Sequence, residues 1–244
     1  MPTVTKRELR EQRRAERQAA EAAEAARATR RRRAALLGGA ATLAAIVVAV
    51  AAIASSGGSA TPKVKPVESS LLAGIPERDG VLGDPKAKVT VTEFLDLQCP
   101  ICAEASKQTL PTLINDYVRT GNVKLEARTL HFLGPDSTRA ASAAAAAQQQ
   151  GRLWPFVEAF YAAQGAENSG YVTDDFLRDV ANAAGLDADK VVDGGSDAGM
   201  TRADAEAAKL GVNSTPTFTV TKDGKTKVIG SGVLDAAALK AALR

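Results

Sequence analysis

Cys99 and Cys102, the two cysteines of the chain, stand in a Cys-Pro-Ile-Cys motif. Two cysteines placed at random would have this spacing in roughly 1% of cases, so the pair indicates a chemical purpose. Such a pair can exchange electrons as a dithiol and a disulfide, or it can supply half of a metal site. It can also form an inert disulfide that braces a turn, but a bridge over so short a loop removes little chain entropy.

A zinc site would lack ligands in this chain. Structural zinc is bound by four ligands, mostly sulfur or nitrogen, whereas the chain offers two cysteines and one histidine, His131. Carboxylates or a second chain would have to complete the site. We therefore expect no metal site and no bound cofactor, because the cysteines themselves would be the redox centre.

The two sulfurs should differ in acidity because of their places on the predicted elements. Residues 88–97 alternate in polarity like a strand, and Pro100 stands where a first helical residue often does. Unpaired N–H groups at a helix start favour negative charge, so the pKa of Cys99 should fall from ~8.5 to about 3.5–7. We predict that Cys99 is the exposed nucleophile, and that Cys102, facing the core, is the resolving thiol.

The elements around the motif have the order β-α-β, a block of helices, and β-β-α. Pro111 is expected to kink the first helix, and Asp223-Gly224 is a hairpin turn signal. The predicted elements after the first strand are a helix over 101–119, a parallel strand over 122–132, helices within 138–210, strands over 217–221 and 226–229, and a helix over 234–243.

This order, with CxxC at the first strand–helix junction, resembles the thioredoxin fold, and the helical block resembles the DsbA family specifically. The resemblance covers about Gly80 to Arg244, and it rests on Glu93–Cys102, Leu153–Phe156 and Gly211–Phe218. It implies an α/β domain over 80–244, thioredoxin-like, with an inserted helical subdomain at about 137–210.

Three further site residues follow from the resemblance. It implies that the Thr215-Pro216 bond is cis, faces the cysteines and holds the Thr215 backbone open to pair with an extended substrate; a trans turn is the ordinary alternative. Glu93 matches the family's buried acid and shares a strand face with apolar residues. A buried Glu93 would have a raised pKa and could exchange protons with Cys102, whereas the alternative is a solvated glutamate.

Pro100 and Ile101 are expected to tune the cysteine pair. Proline stiffens the helix start and provides no N–H donor. Well-known DsbA oxidases carry histidine at the position of Ile101, and isoleucine cannot stabilise a thiolate by charge or hydrogen bonding. Our hypothesis is that the pair is less oxidising than that of a CPHC enzyme.

The N-terminal quarter of the sequence predicts a membrane anchor. Residues 1–33 form a basic tail with eleven Lys/Arg against five Glu, and residues 34–54 are uncharged. Twenty-one residues span about 32 Å as a helix, enough for a hydrocarbon core of ~30 Å. We predict a cytoplasmic tail, a transmembrane helix over 34–54 and a flexible linker over 55–79; a cleaved signal peptide is the alternative.

The charge distribution argues against a nucleic-acid partner. The net charge is +3, of which the tail contributes +6, so the remainder of the chain is mildly acidic and shows no basic face with interleaved aromatic residues. Delivery of the domain outside the cytoplasm would instead suit disulfide chemistry, because disulfides persist there.

The resulting hypothesis is a membrane-anchored dithiol oxidase acting on exported thiol-containing proteins. Family resemblance implies reoxidation by a membrane quinone-linked partner of the DsbB or vitamin K epoxide reductase-like kind. A reductase or isomerase on the same scaffold, or a non-enzymatic tethered peptide-binding module, remain the alternatives.

Overall fold

The computed structural model describes Val64 and residues 70–244. The predicted basic tail 1–33, the predicted transmembrane helix 34–54 and most of the predicted linker lie outside the described residues. Within residues 70–244, no helix is both long and apolar enough to cross a bilayer.

A six-stranded sheet forms the frame of the domain. Its order is β1-β2-β4-β3-β5-β6, with β3 at the centre, parallel to β4 and antiparallel to β5. Because β3 has neighbours on both sides and is covered on both faces, its residues from Val91 onward are buried. The strands are β1 Glu77–Arg78, β2 Val81–Leu82, β3 Val89–Leu95, β4 Val123–Thr129, β5 Thr217–Lys222 and β6 Lys225–Ser231.

Seven α-helices surround this sheet in the described part of the chain. They are α1 Pro100–Leu113, α2 Pro135–Gln149, α3 Leu153–Ala162, α4 Asp174–Ala183, α5 Ala188–Asp193, α6 Asp197–Leu210 and α7 Ala236–Leu243. Helix α1 contains Pro111 and continues into a π turn at Ile114–Val118, so the predicted long helix is interrupted rather than regular. Helices α2 to α6 lie between β4 and β5, which confirms the thioredoxin-like fold with a helical insertion.

Local sequence signals explain several element boundaries. The hydroxyl of Thr173 accepts a hydrogen bond from the Phe176 N–H and caps α4. The turn between β5 and β6 has positive φ at both Asp223 (52°) and Gly224 (72°), as a two-residue hairpin turn with matching twist requires. The predicted hairpin is therefore confirmed.

Aromatic residues of the insertion are part of the same hydrophobic core as the redox motif. Trp154, Phe156, Phe160 and Phe176 are fully buried in a core that also contains Cys99 and Cys102. The rings of Phe160 and Phe176 meet edge to face with centroids 5.1 Å apart. Burial of one such side chain contributes about 1.5–3 kcal/mol to stability. Because the insertion and the redox motif share one core, these aromatic residues stabilise both.

The fold begins earlier than the boundary predicted at Gly80. Strand β1 includes Glu77, whose carboxylate accepts hydrogen bonds from the N–H groups of Leu153 (2.6 Å) and Trp154 (3.3 Å). The carboxylate thus caps helix α3, and burial raises its pKa to about 7. A two-residue strand and a cap that spans 76 positions leave no local pattern, which is why the sequence suggested a linker through residue 79.

Candidate active site

The Cys-Pro-Ile-Cys motif lies at the carboxyl end of the central strand. After β3 ends, the chain turns, and the Cys99 N–H donates to the Asp96 carbonyl (3.0 Å). Cys99 is the N-cap residue of α1 and Pro100 is its first helical residue, as predicted from the sequence. The side chain of Cys102 lies one turn further along α1, in the core.

Cys99 is less accessible than we predicted. It was expected to be an exposed nucleophile, but 6% of it is accessible to solvent, while Cys102 is completely buried. The loop before β5 limits access to the sulfur, because Cys99 Sγ lies 3.3 Å from the carbonyl oxygen of Thr215. Both cysteines are free thiols in the structure.

The pKa values of the two thiols move in opposite directions. A hydrogen bond with the Cys102 side chain is the largest cause that lowers the pKa of Cys99, from 9.0 to about 6; burial opposes it, and Thr215 and the N–H groups of Cys102 and Ile101 assist it. Burial raises the pKa of Cys102 far above its ordinary value, with further contributions from Cys99 and Glu93. At neutral pH, Cys99 is therefore a thiolate and Cys102 is a thiol.

The structure places Thr215 and Pro216 beside Cys99. Their peptide bond is cis, as the family resemblance implied. Strand β5 begins at the next residue and pairs with β3, which brings this loop to the end of β3 where the motif starts. Five of the predicted site residues, from two distant parts of the chain, thus lie close together. They are Cys99, Pro100, Cys102, Thr215 and Pro216.

Glu93 lies in the core behind the cysteines. It is 1% exposed, and neither carboxyl oxygen has a hydrogen-bond partner among the described residues. Burial, assisted by negative charge on Cys99, raises its pKa to about 8. A carboxyl group in this state is protonated at pH 7 and can donate a proton.

Ile101, between Pro100 and Cys102, has its side chain on the surface. The residue is 51% exposed, one of the few large apolar residues on the surface of residues 70–244. Its backbone N–H lowers the pKa of Cys99, while its side chain offers no donor. Pro100 is exposed beside it.

Several polar residues that we did not single out from the sequence hold the turn before Cys99. The Tyr161 hydroxyl donates to the Asp96 carbonyl (3.3 Å), and the Gln164 amide donates to the carbonyls of Leu97 (2.7 Å) and Cys99 (3.2 Å). These bonds join positions 65 to 67 residues apart. Nothing in the local sequence pattern marks these residues.

Gln98 and Asp96 extend the same polar network into the insertion. The Gln98 amide donates to the Tyr171 hydroxyl (2.8 Å) and accepts from the Asn168 N–H (2.8 Å). The Asp96 carboxylate accepts from the Gln98 N–H (2.9 Å) and from the Ser137 hydroxyl (2.6 Å). Burial raises the pKa of Asp96. Both side chains are fully buried, so they are part of the scaffold of the turn.

The described residues contain no group of three or more His, Cys, Asp or Glu side chains placed to hold a metal ion. His131, which a zinc site would have required, lies 3.7 Å from the Asp204 carboxylate instead. The cysteines remain the groups in this site with redox chemistry of their own.

Comparison with known sequences assigns the fold to a family. A sequence profile described as thioredoxin matches residues 77–231, more than half of the chain. The chain belongs to the thioredoxin family. Its strong structural neighbours are DsbA-family thiol–disulfide oxidoreductases.

Two curated relatives of this thioredoxin-family chain are similar over part of their length. The Na(+)/H(+) antiporter NhaA 3 of Salinispora tropica is 35% identical over 151 residues, which are 59% of this chain. Disulfide bond formation protein D of Bacillus subtilis is 32% identical over 103 residues, which are 41% of this chain. The matched regions span 22% and 46% of those two proteins.

A solved structure supports the same fold. The oxidised form of BdbD from Bacillus subtilis superposes with a TM-score of 0.59 at 25% identity. The match covers 70% of this chain and 94% of BdbD, so it includes the insertion as well as the sheet.

Proposed function

We propose that the protein is a thiol–disulfide oxidoreductase that works as a dithiol oxidase on exported proteins. The opposite pKa shifts of Cys99 and Cys102 carry this proposal. A thiolate that is stabilised at Cys99 favours the reduced pair, and the oxidised pair therefore tends to accept electrons. The relative from Bacillus subtilis is a disulfide bond formation protein, and its similarity supports this direction.

The reaction needs two exchange steps. In the first, a substrate thiolate attacks Cys99 Sγ in the Cys99–Cys102 disulfide, forms a mixed disulfide and releases Cys102 as a thiolate. In the second, another substrate thiolate attacks the substrate sulfur, forms the substrate disulfide and releases the Cys99 thiolate. The substrate loses two electrons and two protons: the cysteine pair takes up both electrons, Cys102 ends with one proton, and the other proton goes to solvent because Cys99 is left as a thiolate.

Glu93 has the properties of the proton donor for the first step. Its raised pKa of about 8 keeps it protonated at pH 7, and the strongly raised pKa of Cys102 makes that thiolate a ready acceptor. Transfer of the Glu93 proton to Cys102 would make the exchange harder to reverse.

Thr215 and Pro216 supply the substrate contact in this proposal. The loop lies against Cys99, so an extended chain pairing with the Thr215 backbone would bring its own cysteine to the sulfur. The modest accessibility of Cys99 fits a substrate that enters as an unfolded or flexible segment rather than as a folded surface.

The proposed location is the outer face of a membrane. The 21 uncharged residues 34–54 would anchor the chain, with the basic tail 1–33 in the cytoplasm and the redox domain outside. There the enzyme would meet exported thiol-containing proteins, and a membrane quinone-linked reoxidase of the DsbB or vitamin K epoxide reductase-like kind would restore its disulfide.

The test is the oxidation of a reduced two-cysteine peptide by the oxidised full-length chain. The wild type should convert one equivalent of dithiol to disulfide, and Cys99→Ala should abolish the conversion. Retained oxidation in Cys99→Ala would contradict the mechanism. Peptide binding that persists while the wild type itself shows no exchange would favour a tethered binding module.

The reduction potential separates an oxidase from a reductase or isomerase on the same scaffold. Equilibration with glutathione should place the pair nearer to about −120 mV, the range of strong oxidants, than to about −270 mV, the range of reductants. A value at the reducing end would overturn the proposed direction.

A further inference from the structure

Gln164 joins the helical insertion to the backbone of the redox motif by hydrogen bonds. It lies just after α3, and its amide nitrogen donates to the carbonyl oxygen atoms of Leu97 (2.7 Å) and Cys99 (3.2 Å). One amide nitrogen carries two hydrogens, so both bonds can form at once. The two carbonyls lie on either side of Gln98, and Gln164 therefore bridges the turn that delivers Cys99.

The carbonyl of Cys99 is also the first acceptor of helix α1. It accepts hydrogen bonds from the N–H groups of Cys102 (3.1 Å) and Ala103 (3.3 Å). The orientation of the Cys99 peptide therefore determines where the first N–H groups of α1 point. The backbone N–H groups of Ile101 and Cys102, in this first turn, also lower the pKa of the Cys99 thiol. A rotation of this peptide would move the Cys99 thiol relative to the first turn of α1.

The rest of the turn is held by the same stretch of the insertion. The Tyr161 hydroxyl binds the Asp96 carbonyl, and the Tyr171 hydroxyl and the Asn168 N–H bind the Gln98 side chain. Residues 161–171 thus contact Asp96, Leu97, Gln98 and Cys99 in turn. Within this set, Gln164 alone touches the peptide of the reactive cysteine.

We propose that Gln164 is a positioning residue for Cys99: its amide fixes the Cys99 carbonyl, the first acceptor of α1, and so holds the thiol in place at the start of the helix. The inference rests on the proposed function, in which Cys99 is the attacking thiolate. Gln164 touches neither the substrate nor the sulfur, and it acts through the backbone. The consequence is that the helical insertion sets the reactivity of the thiol in addition to covering the core.

The test compares Gln164→Met with a matched glutamine elsewhere in the insertion. Methionine keeps the length and most of the volume of the side chain but removes both donors. Gln148→Met is the control, because the Gln148 amide also joins the insertion to a backbone carbonyl, that of Asp79 (2.9 Å), and does so outside the motif. Both variants are made in the full-length chain.

Two measurements are made on each reduced protein. The first is the alkylation rate of Cys99 as a function of pH, and the second is the equilibrium with glutathione. At the pH where wild-type Cys99 is half ionised, Gln164→Met should react about threefold to tenfold more slowly, as expected for the loss of one or two hydrogen bonds. Its glutathione equilibrium should shift toward a less oxidising pair, while Gln148→Met matches the wild type in both.

Each outcome is decisive. An alkylation profile of Gln164→Met that superposes on the wild type would overturn the proposal, as would an equal shift in Gln148→Met. If Gln164→Met does not fold, Gln164→Ala, which leaves room for water, is measured in its place. Loss of the fold in both, with Gln148→Met folded, would assign Gln164 a purely structural role and likewise overturn it. The wild-type oxidase assay is run separately, so a failure of the proposed function is seen independently.

Discussion

The two sulfurs of the motif are one helical turn apart, and their surroundings make them chemically opposite. Both cysteines are buried, with 6% of Cys99 and 0% of Cys102 accessible to solvent. Burial alone would raise the pKa of both thiols. The pKa of Cys99 falls because hydrogen bonds, first of all with the Cys102 side chain, stabilise its thiolate. The pKa of Cys102 rises because the thiol is buried and lies beside Cys99 and Glu93. The acidity of Cys99 is therefore decided by hydrogen bonding, first of all with the Cys102 side chain, rather than by exposure to solvent.

Removal of one sulfur at a time should have the largest effect. Cys102→Ala leaves a reactive Cys99 without its resolving thiol, so the thiolate should attack a disulfide peptide and remain in a mixed disulfide. Catalytic turnover should be lost. Mass spectrometry under non-reducing conditions measures the adduct, and Cys99→Ala, which should form none, is the control. An adduct on Cys102 in that control would reverse the assignment of the two roles.

Replacement of the buried acid should have the next largest effect. Glu93→Gln keeps the shape of the side chain but cannot transfer a proton, so release of Cys102 should slow by about a hundredfold. The dependence of the rate on pH near the Glu93 pKa of about 8 should disappear as well. Stopped-flow measurement of substrate oxidation checks both. Glu104→Gln, on the solvent side of α1, is the matched control, and equal rates in the two variants would rule out the relay.

The pH dependence of stability should distinguish the two sulfurs without any substrate. The pKa of Cys99 is lowered from 9.0 to about 6, so its contribution to the folding of the reduced protein is fully present above pH 9 and is lost as pH falls through 6. Urea unfolding of reduced wild type and reduced Cys99→Ala should therefore diverge as pH rises from 6 to 9. Parallel curves over this range would contradict the lowered pKa.

The smallest expected effect comes from the residue between Pro100 and Cys102. Ile101→His adds a donor that can carry positive charge near the Cys99 thiolate, so the pair should become more oxidising by some tens of millivolts, with about 30 mV corresponding to 1.4 kcal/mol. Equilibration with glutathione measures the change, and Ile101→Val is the control. An unchanged potential in Ile101→His would refute the hypothesis that isoleucine moderates the pair.

The features of this site that the sequence predicted are those determined by residues close to one another in the chain. The position of Cys99 follows from a strand pattern before it and Pro100 after it, and the hairpin follows from Asp223-Gly224. The family resemblance added the place of Thr215 and Pro216, which periodicity alone does not bring near the motif.

The parts that the sequence did not predict depend on contacts over long separations. The bonds from Gln164 to the motif and from Glu77 to α3 join residues 65 to 77 positions apart, and each involves a polar side chain that no local pattern distinguishes. The low accessibility of Cys99 has the same origin, because it depends on Thr215, 116 positions away. Local sequence patterns do not predict such long-range contacts.

The alkylation of Cys99 over a range of pH tests the central claim most directly. In the reduced full-length chain, one thiol should react with iodoacetamide, its rate should rise through a midpoint near pH 6, and mass spectrometry should assign the adduct to Cys99. A midpoint near 8.5, the ordinary value for cysteine, or equal labelling of Cys102, would contradict the account.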